Sequence, residues 1–236
     1  MQTLHSENSR PIKMFFEMFG EHLSLDDYME FYSNRHKGST DTMLRLDVYK
    51  AKKLATVVLE EYSVRGKLKG HVIILFPEPA FNVPIFMFQL GGNDTQSIAL
   101  LDISPTLPAM DYGPLLAAHR KYRDLLAVEE SKIEWVTQIS SPYLLHRQYG
   151  PLDEDLFMEA SREYLRIWIE HYYKPGAVHS SPEDIETATA AIRRYKKILH
   201  QSDPAHGIFS KAWGKKVADA FMYLETRDHP ALEIFD

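Results

Sequence analysis

A chain of 236 residues, 44% hydrophobic and 25% charged, can bury a sizeable core in one large domain or two small ones. The absence of cysteine excludes disulfide frameworks, thiolate nucleophiles and Cys-ligated zinc or iron–sulfur centres, and it fits a reducing, cytoplasmic setting. A formal net charge of −6 argues against broad nucleic-acid binding.

In chain order, MQTLHSENSRPIK lacks the apolar core of a secretory signal. MFFEMFGEHL is amphipathic, and SLDDYMEFY follows with Ser24 as a cap, so the first 35 or so residues read as helical. TMLRLDVY (42–49) sets Leu44, Leu46 and Val48 against Arg45, Asp47 and Tyr49, the period of a strand. KLATVVLEEYSV (53–64), HVIILF (71–76), VPIFMFQL (83–90) and SIALLDI (97–103) complete five candidate strands. Their links, RGKLKG, PEPAFN and GGND, are short and turn-like, so the sheet is expected to be mainly antiparallel.

Helical spacing then takes over at 112–131 and at 154–173, where an aromatic-rich run reads most simply as core. WVTQISSPYLLHRQY between them suggests one more strand. Ser-Pro-Glu-Asp opens a helix over 181–201, and KAWGKKVADAFMYLET (211–226) is the last. With no repeat or linker, the economical reading is a single domain over 1–236: a three-layer α/β/α sandwich around a central sheet. No stretch approaches the roughly 18 apolar residues of a membrane span, and a monomer is expected.

Several chemistries lack their motifs. GxGxxG and GxxxxGK[ST] are missing, as are HExxH and GxSxG. His200, Asp203 and His206 flank a helix break, but a lone trio of this kind is weak support for a metal, and none is expected. Basic clusters at KAKK (50–53), RRYKK (193–197) and KAWGKK (211–216) read as solvated faces or as docking patches for an acidic partner.

LEEYSVRGKLKGHVIILFPEPAFNVPIFMFQ, followed by SIALLDISPT, resembles the ferredoxin-dependent bilin reductases. The shared elements are Leu59-Glu60, the Phe76-Pro77-Glu78-Pro79 turn, Val83-Pro84 and Asp102-Ile103-Ser104-Pro105-Thr106. SDPAHGIFSKAWGKKVADAFMYL supplies a second matching block in the right order. The segment around Gln89 is also similar to the red chlorophyll catabolite reductases.

The resemblance implies an open-chain tetrapyrrole such as biliverdin held between the sheet and the C-terminal helices, with no bound organic cofactor. It implies electrons taken singly from reduced ferredoxin or flavodoxin, and protons supplied by the protein. Such chemistry needs acids of controlled pKa buried against an apolar π-system.

Carried across residue by residue, the resemblance places Glu60 and Asp203 as acids and Ser97 and Arg147 near a bilin propionate. An acidic ferredoxin is expected to dock on the local basic patches of Lys50, Lys52 and Lys53 and of Lys211, Lys215 and Lys216. Two positions depart from it. Val72 stands where the family has a strand histidine, and Gln89 where it has an aspartate. His71 is adjacent, but alternation sends it to the other face unless a bulge intervenes. An amide can hydrogen-bond a pyrrole nitrogen or lactam oxygen but does not act as an acid. Two alternatives therefore stay open: a non-catalytic tetrapyrrole carrier, and a reductase of another conjugated substrate. Glu60 and Glu61, adjacent on one strand, must place one carboxylate on each face.

Overall fold

The computed structural model describes residues 9–32, 42–93, 95–128, 130–148, 150 and 152–226. Seven strands form one sheet in strict chain order: β1 (Ser24–Tyr32), β2 (Met43–Ala51), β3 (Leu54–Val64), β4 (Leu68–Pro77), β5 (Ile85–Asn93), β6 (Gln96–Ser104) and β7 (Leu145–Gln148). Every neighbouring pair is antiparallel, as the short links require.

The helices cover both faces. Against the first lie α1 (Arg10–Phe19), α2 (Gly113–Leu125) and α4 (Glu154–Ile167), the last continued by a π-helical turn at Trp168–Tyr173. Against the second lie α3 (Glu134–Ile139), α5 (Pro182–Ser202), α6 (Ala205–Trp213) and α7 (Lys215–Glu225). The chain is thus an α/β/α sandwich, and strand alternation sorts its core in two. Leu59, Ile73, Phe88 and Leu101 pack on the first face, while Val58, Ile74, Met87 and Leu100 pack on the second. Among the described residues, no helix is long and apolar enough to cross a membrane.

The aromatic helix is core. Trp168 is fully buried, stacks on Tyr173 at 5.3 Å between ring centroids, and donates its indole N–H to the Pro84 carbonyl at 2.9 Å. That bond ties α4 to the entry of β5, and it satisfies a donor that burial would otherwise leave costly. Ser181 caps α5 by accepting from Asp184 N, as its Ser-Pro-Glu-Asp start predicts.

Two expectations need correction. Ser24–Tyr32 is not helical but pairs as β1 along β2, from Ser24↔Lys50 to Tyr32↔Met43, with an irregularity at Leu25/Asp27. The free hydrogen-bonding edge of β2 outweighs the local helical pattern, and the acidic residues of β1 suit an edge strand. Second, the span 112–131 ends early, at Leu125, and 211–226 is two helices broken at Gly214, whose φ of 97° is open to glycine. Arg45, Asp47 and Tyr49, the other face of β2, are turned inward. All three are buried, Arg45 Nε donates to Asp47 Oδ1 at 3.2 Å, and the Tyr49 hydroxyl donates to Asp47 Oδ2 at 3.1 Å. Pairing two residues apart on one strand face lets the charges go inside together.

Candidate active site

The register from β3 to β7 runs one line of residues across the second face: Glu60↔Val72, Val72↔Gln89, Gln89↔Leu100, Leu100↔His146. Leu46 extends it on the other side of Glu60. An acid and an amide therefore stand two strands apart, about 10 Å, with a valine between them. His146 ends the line; it is buried, and desolvation lowers its pKa.

Over Glu60 the helices bring two more carboxyls. Asp203 lies at the α5–α6 junction, half-buried, with Oδ1 accepting from Ala205 N at 2.7 Å. Glu225 is the last residue of α7 and is as buried as Glu60, each only 2% exposed. Burial, then the facing Glu225 carboxyl and Asp203, hold the Glu60 pKa well above the ordinary glutamate range. Burial raises Asp203 to about 6, the Ala205 N–H opposing it. Burial and Asp203 together raise Glu225 to about 8. Near neutral pH the cluster holds protons that exposed carboxyls would have lost.

Tyr62, two residues along β3 from Glu60 on the same face, completes the group. Burial raises its pKa, as do Glu60 and Asp203, while hydrogen bonding with the Gln89 side chain pulls the other way. Its ring meets Phe209 of α6 edge-on at 5.3 Å. Gly70 is its partner on β4, and the position admits no side chain: a Cβ there would stand 2.2 Å from Tyr62 Cζ. The tyrosine thus lies across the bare backbone of β4 toward Gln89. Sequence reading missed Tyr62 and Glu225. A glycine opposite an aromatic was the available signal for Tyr62, whereas Glu225 carries none, being an acid at the end of an amphipathic helix.

The other expected site residues lie elsewhere. Glu60 and Val72 pair without a bulge, so His71 turns to the first face beside Glu61 Oε1 at 3.8 Å. With Ser97, Arg10, Lys67 and Lys69 it lines a cavity of about 520 Å³ there. The Arg147 guanidinium donates to the carbonyls of Leu126 and Ala127, at 2.8 and 3.2 Å, closing the C-terminal end of α2. His71, Ser97 and Arg147 are therefore not gathered with Glu60, Gln89 and Asp203. The trio at the helix break is also dispersed: His200 Nδ1 bonds the Thr226 hydroxyl at 3.2 Å, and His206 Nε2 bonds Asp219 Oδ1 at 2.9 Å.

The lysines fall into two sets. Lys53 donates to the carbonyls of Tyr173 and Lys174, at 2.7 and 2.9 Å, and Lys50 pairs with Asp26 at 3.1 Å. Lys211, Lys215 and Lys216 are exposed on α6 and α7, with Lys215 paired to Asp219 at 2.7 Å.

The family model for ferredoxin-dependent bilin reductase matches residues 11–224. The chain belongs to this family. A phycocyanobilin:ferredoxin oxidoreductase of Gloeobacter violaceus is 25% identical over 235 residues, covering 96% of the chain and 91% of that enzyme. A 15,16-dihydrobiliverdin:ferredoxin oxidoreductase of Nostoc punctiforme is 28% identical over 160 residues, 64% of each protein. Among solved structures, tomato phytochromobilin synthase in complex with biliverdin superposes with a TM-score of 0.81 at 19% identity, covering 98% of the chain and 88% of its own. That likeness shows the shared fold. As a bilin reductase family member, the chain carries Glu60, Val72, Gln89 and Asp203 inside the matched segment; Glu225 falls one residue beyond it.

Proposed function

We propose that this protein reduces a linear tetrapyrrole of the biliverdin type, taking electrons one at a time from reduced ferredoxin and supplying the protons itself. The observation that carries the reading is the placing of buried Glu60 and half-buried Asp203, both with raised pKa values, over one apolar face of the sheet. The pigment would lie between that face and α5–α7, edged by Val72 and Leu100.

Each electron leaves a tetrapyrrole radical that becomes more basic. An acid whose pKa lies near the working pH gives up a proton readily and regains it readily. Asp203, raised to about 6, fits that role and sits nearer solvent than Glu60. Glu60 supports it from the strand. Gln89 and Tyr62 hydrogen-bond the pigment's nitrogens or lactam oxygens, and Gln89 orients it without acting as an acid. Exclusion of water by the helices protects the radical between steps. Because the electrons come from ferredoxin, the reaction calls for no organic cofactor bound to this chain. The exposed set Lys211, Lys215 and Lys216, on the helices that cover the carboxyls, would receive an acidic ferredoxin. The Lys50–Lys53 set lies about 20 Å away along β3, with Lys53 already committed to two carbonyls.

The test is an anaerobic assay with biliverdin and enzymatically reduced ferredoxin, followed by visible spectroscopy. A spectral shift through a transient radical band is expected. Binding without any change under reducing conditions would instead make the protein a carrier, and Val72 and Gln89, neither of them acidic, would be the reason. No binding at all would refute the tetrapyrrole reading.

A further inference from the structure

Glu225 is a buried ionisable group that the mechanism above leaves unused. Its Oε2 and the Oε1 of Glu60 have no hydrogen-bond partner among the described residues. α7 packs on β2, where Leu46 is the cross-strand partner of Glu60, and this brings the Glu225 carboxyl to face that of Glu60. Both are carried on rigid elements, one in mid-strand on β3 and the other on the last turn of α7. Neither forms an ion pair with a basic side chain among the described residues.

We infer that Glu60 and Glu225 form a proton-sharing pair in which Glu225 is a positioning residue, keeping a proton on Glu60 for delivery to the substrate. Two ionised carboxylates in contact and out of water repel strongly, so the pair keeps one proton between them, and that proton forms their hydrogen bond. The groups facing the pair are Asp203 from the α5–α6 junction, Tyr62 from β3, and Tyr195 of α5. His200 of α5 adds a hydrogen bond to Thr226 beside Glu225. The raised values of Glu60 and Glu225 agree with this arrangement. On the row itself, Val72 and Gln89 have no acidic proton to give, so the pair places one next to them from the helix side.

For its chemistry the inference rests on the reductase reading. After one electron has passed from ferredoxin to the tetrapyrrole, the Glu60 O–H bond breaks and a C–H or N–H bond forms on the pigment. Two facing carboxylates remain. Their repulsion draws a proton back from solvent by way of Asp203, restoring the pair before the next electron arrives.

The pair can be tested without substrate. Infrared spectroscopy of the full chain near neutral pH should show a protonated-carboxyl band that Glu60→Gln removes and Glu225→Gln shifts, since the group facing Glu60 changes from carboxylate to amide. The absence of this band in the parent, or an unchanged position in Glu225→Gln, would overturn the pair. In the anaerobic assay, Glu225→Gln should bind biliverdin and accept the first electron as the parent does. Decay of the radical should slow by about ten-fold or more, and the alkaline limb of the pH–rate profile should move down by about one unit, because Glu60 no longer faces a carboxylate. Glu225→Asp should restore part of both. An unchanged pH profile would overturn the role. The two proposals fail separately: a shared band in a parent that does not reduce biliverdin leaves the pair standing and refutes the reductase reading, whereas turnover without the band does the reverse.

Discussion

Tyr62 and Gly70 are cross-strand partners in which the ring of one occupies the space a side chain of the other would fill. A methyl group at position 70 would stand 2.2 Å from Cζ and 2.3 Å from the hydroxyl oxygen. Gly70→Ala is therefore expected to cost about 1–3 kcal/mol by overpacking and to move the hydroxyl away from Gln89. Tyr62→Ala in the same chain should relieve most of that cost. A double-mutant cycle by urea denaturation measures the coupling, and additive effects would contradict the contact.

Asp203 both caps a helix and is proposed to deliver protons, and one substitution separates the two. Asparagine caps as well as aspartate, so Asp203→Asn should leave the unfolding midpoint within about 0.5 kcal/mol of the parent. Turnover should fall by about 10²–10⁴-fold, the range for loss of a general acid, with little change in biliverdin affinity. Unchanged turnover would remove Asp203 from the mechanism.

The raised carboxyls also predict how stability depends on pH. Between the ordinary glutamate value of 4.5 and about 8, the facing Glu60 and Glu225 keep, when folded, a proton that they release when unfolded. The folded state then binds more protons, so its advantage is full below the unfolded value and is lost as pH rises through about 8. Glu225→Gln has nothing to ionise. Relative to this variant, the parent should lose stability steadily across that window, by at least about 1 kcal/mol. Chemical denaturation at a series of pH values checks this, and parallel curves would contradict it.

Docking of an acidic electron donor makes the two lysine sets distinguishable. Charge reversal at Lys211 and Lys216 should slow reduction by ferredoxin several-fold at low salt and flatten its dependence on ionic strength. Reversal at Lys52 should do neither. If the effects are equal, or salt has none on the parent, docking lies on another surface.

Removing the Trp168 indole N–H tests the tie between α4 and β5. Trp168→Phe leaves the Pro84 carbonyl without its donor and opens space in a packed core, so a loss of about 2–4 kcal/mol is expected from thermal or urea unfolding. A loss below about 0.5 kcal/mol would show that the carbonyl finds another partner.

Much of this protein was legible from local pattern. Alternation along 42–49 and apolar, β-branched runs at 53–64, 71–76, 83–90 and 97–103, joined by short turns, determined an antiparallel sheet, and Ser181-Pro182 marked the start of α5. Glu60, Gln89 and Asp203 were readable as site candidates because they sit within a family pattern. Period-two alternation also turned His71 from the Glu60 face, since a strand's side-chain direction follows from the backbone alone. What only the tertiary structure decided depends on edges and on distance in space. The free edge of β2 converted Ser24–Tyr32 from helix to strand. The Arg147 head went to the end of α2, and Glu225 met Glu60 across 165 positions of chain. No local preference encodes such a meeting: its energy arises from desolvation and charge repulsion, which exist only once the helices close over the sheet.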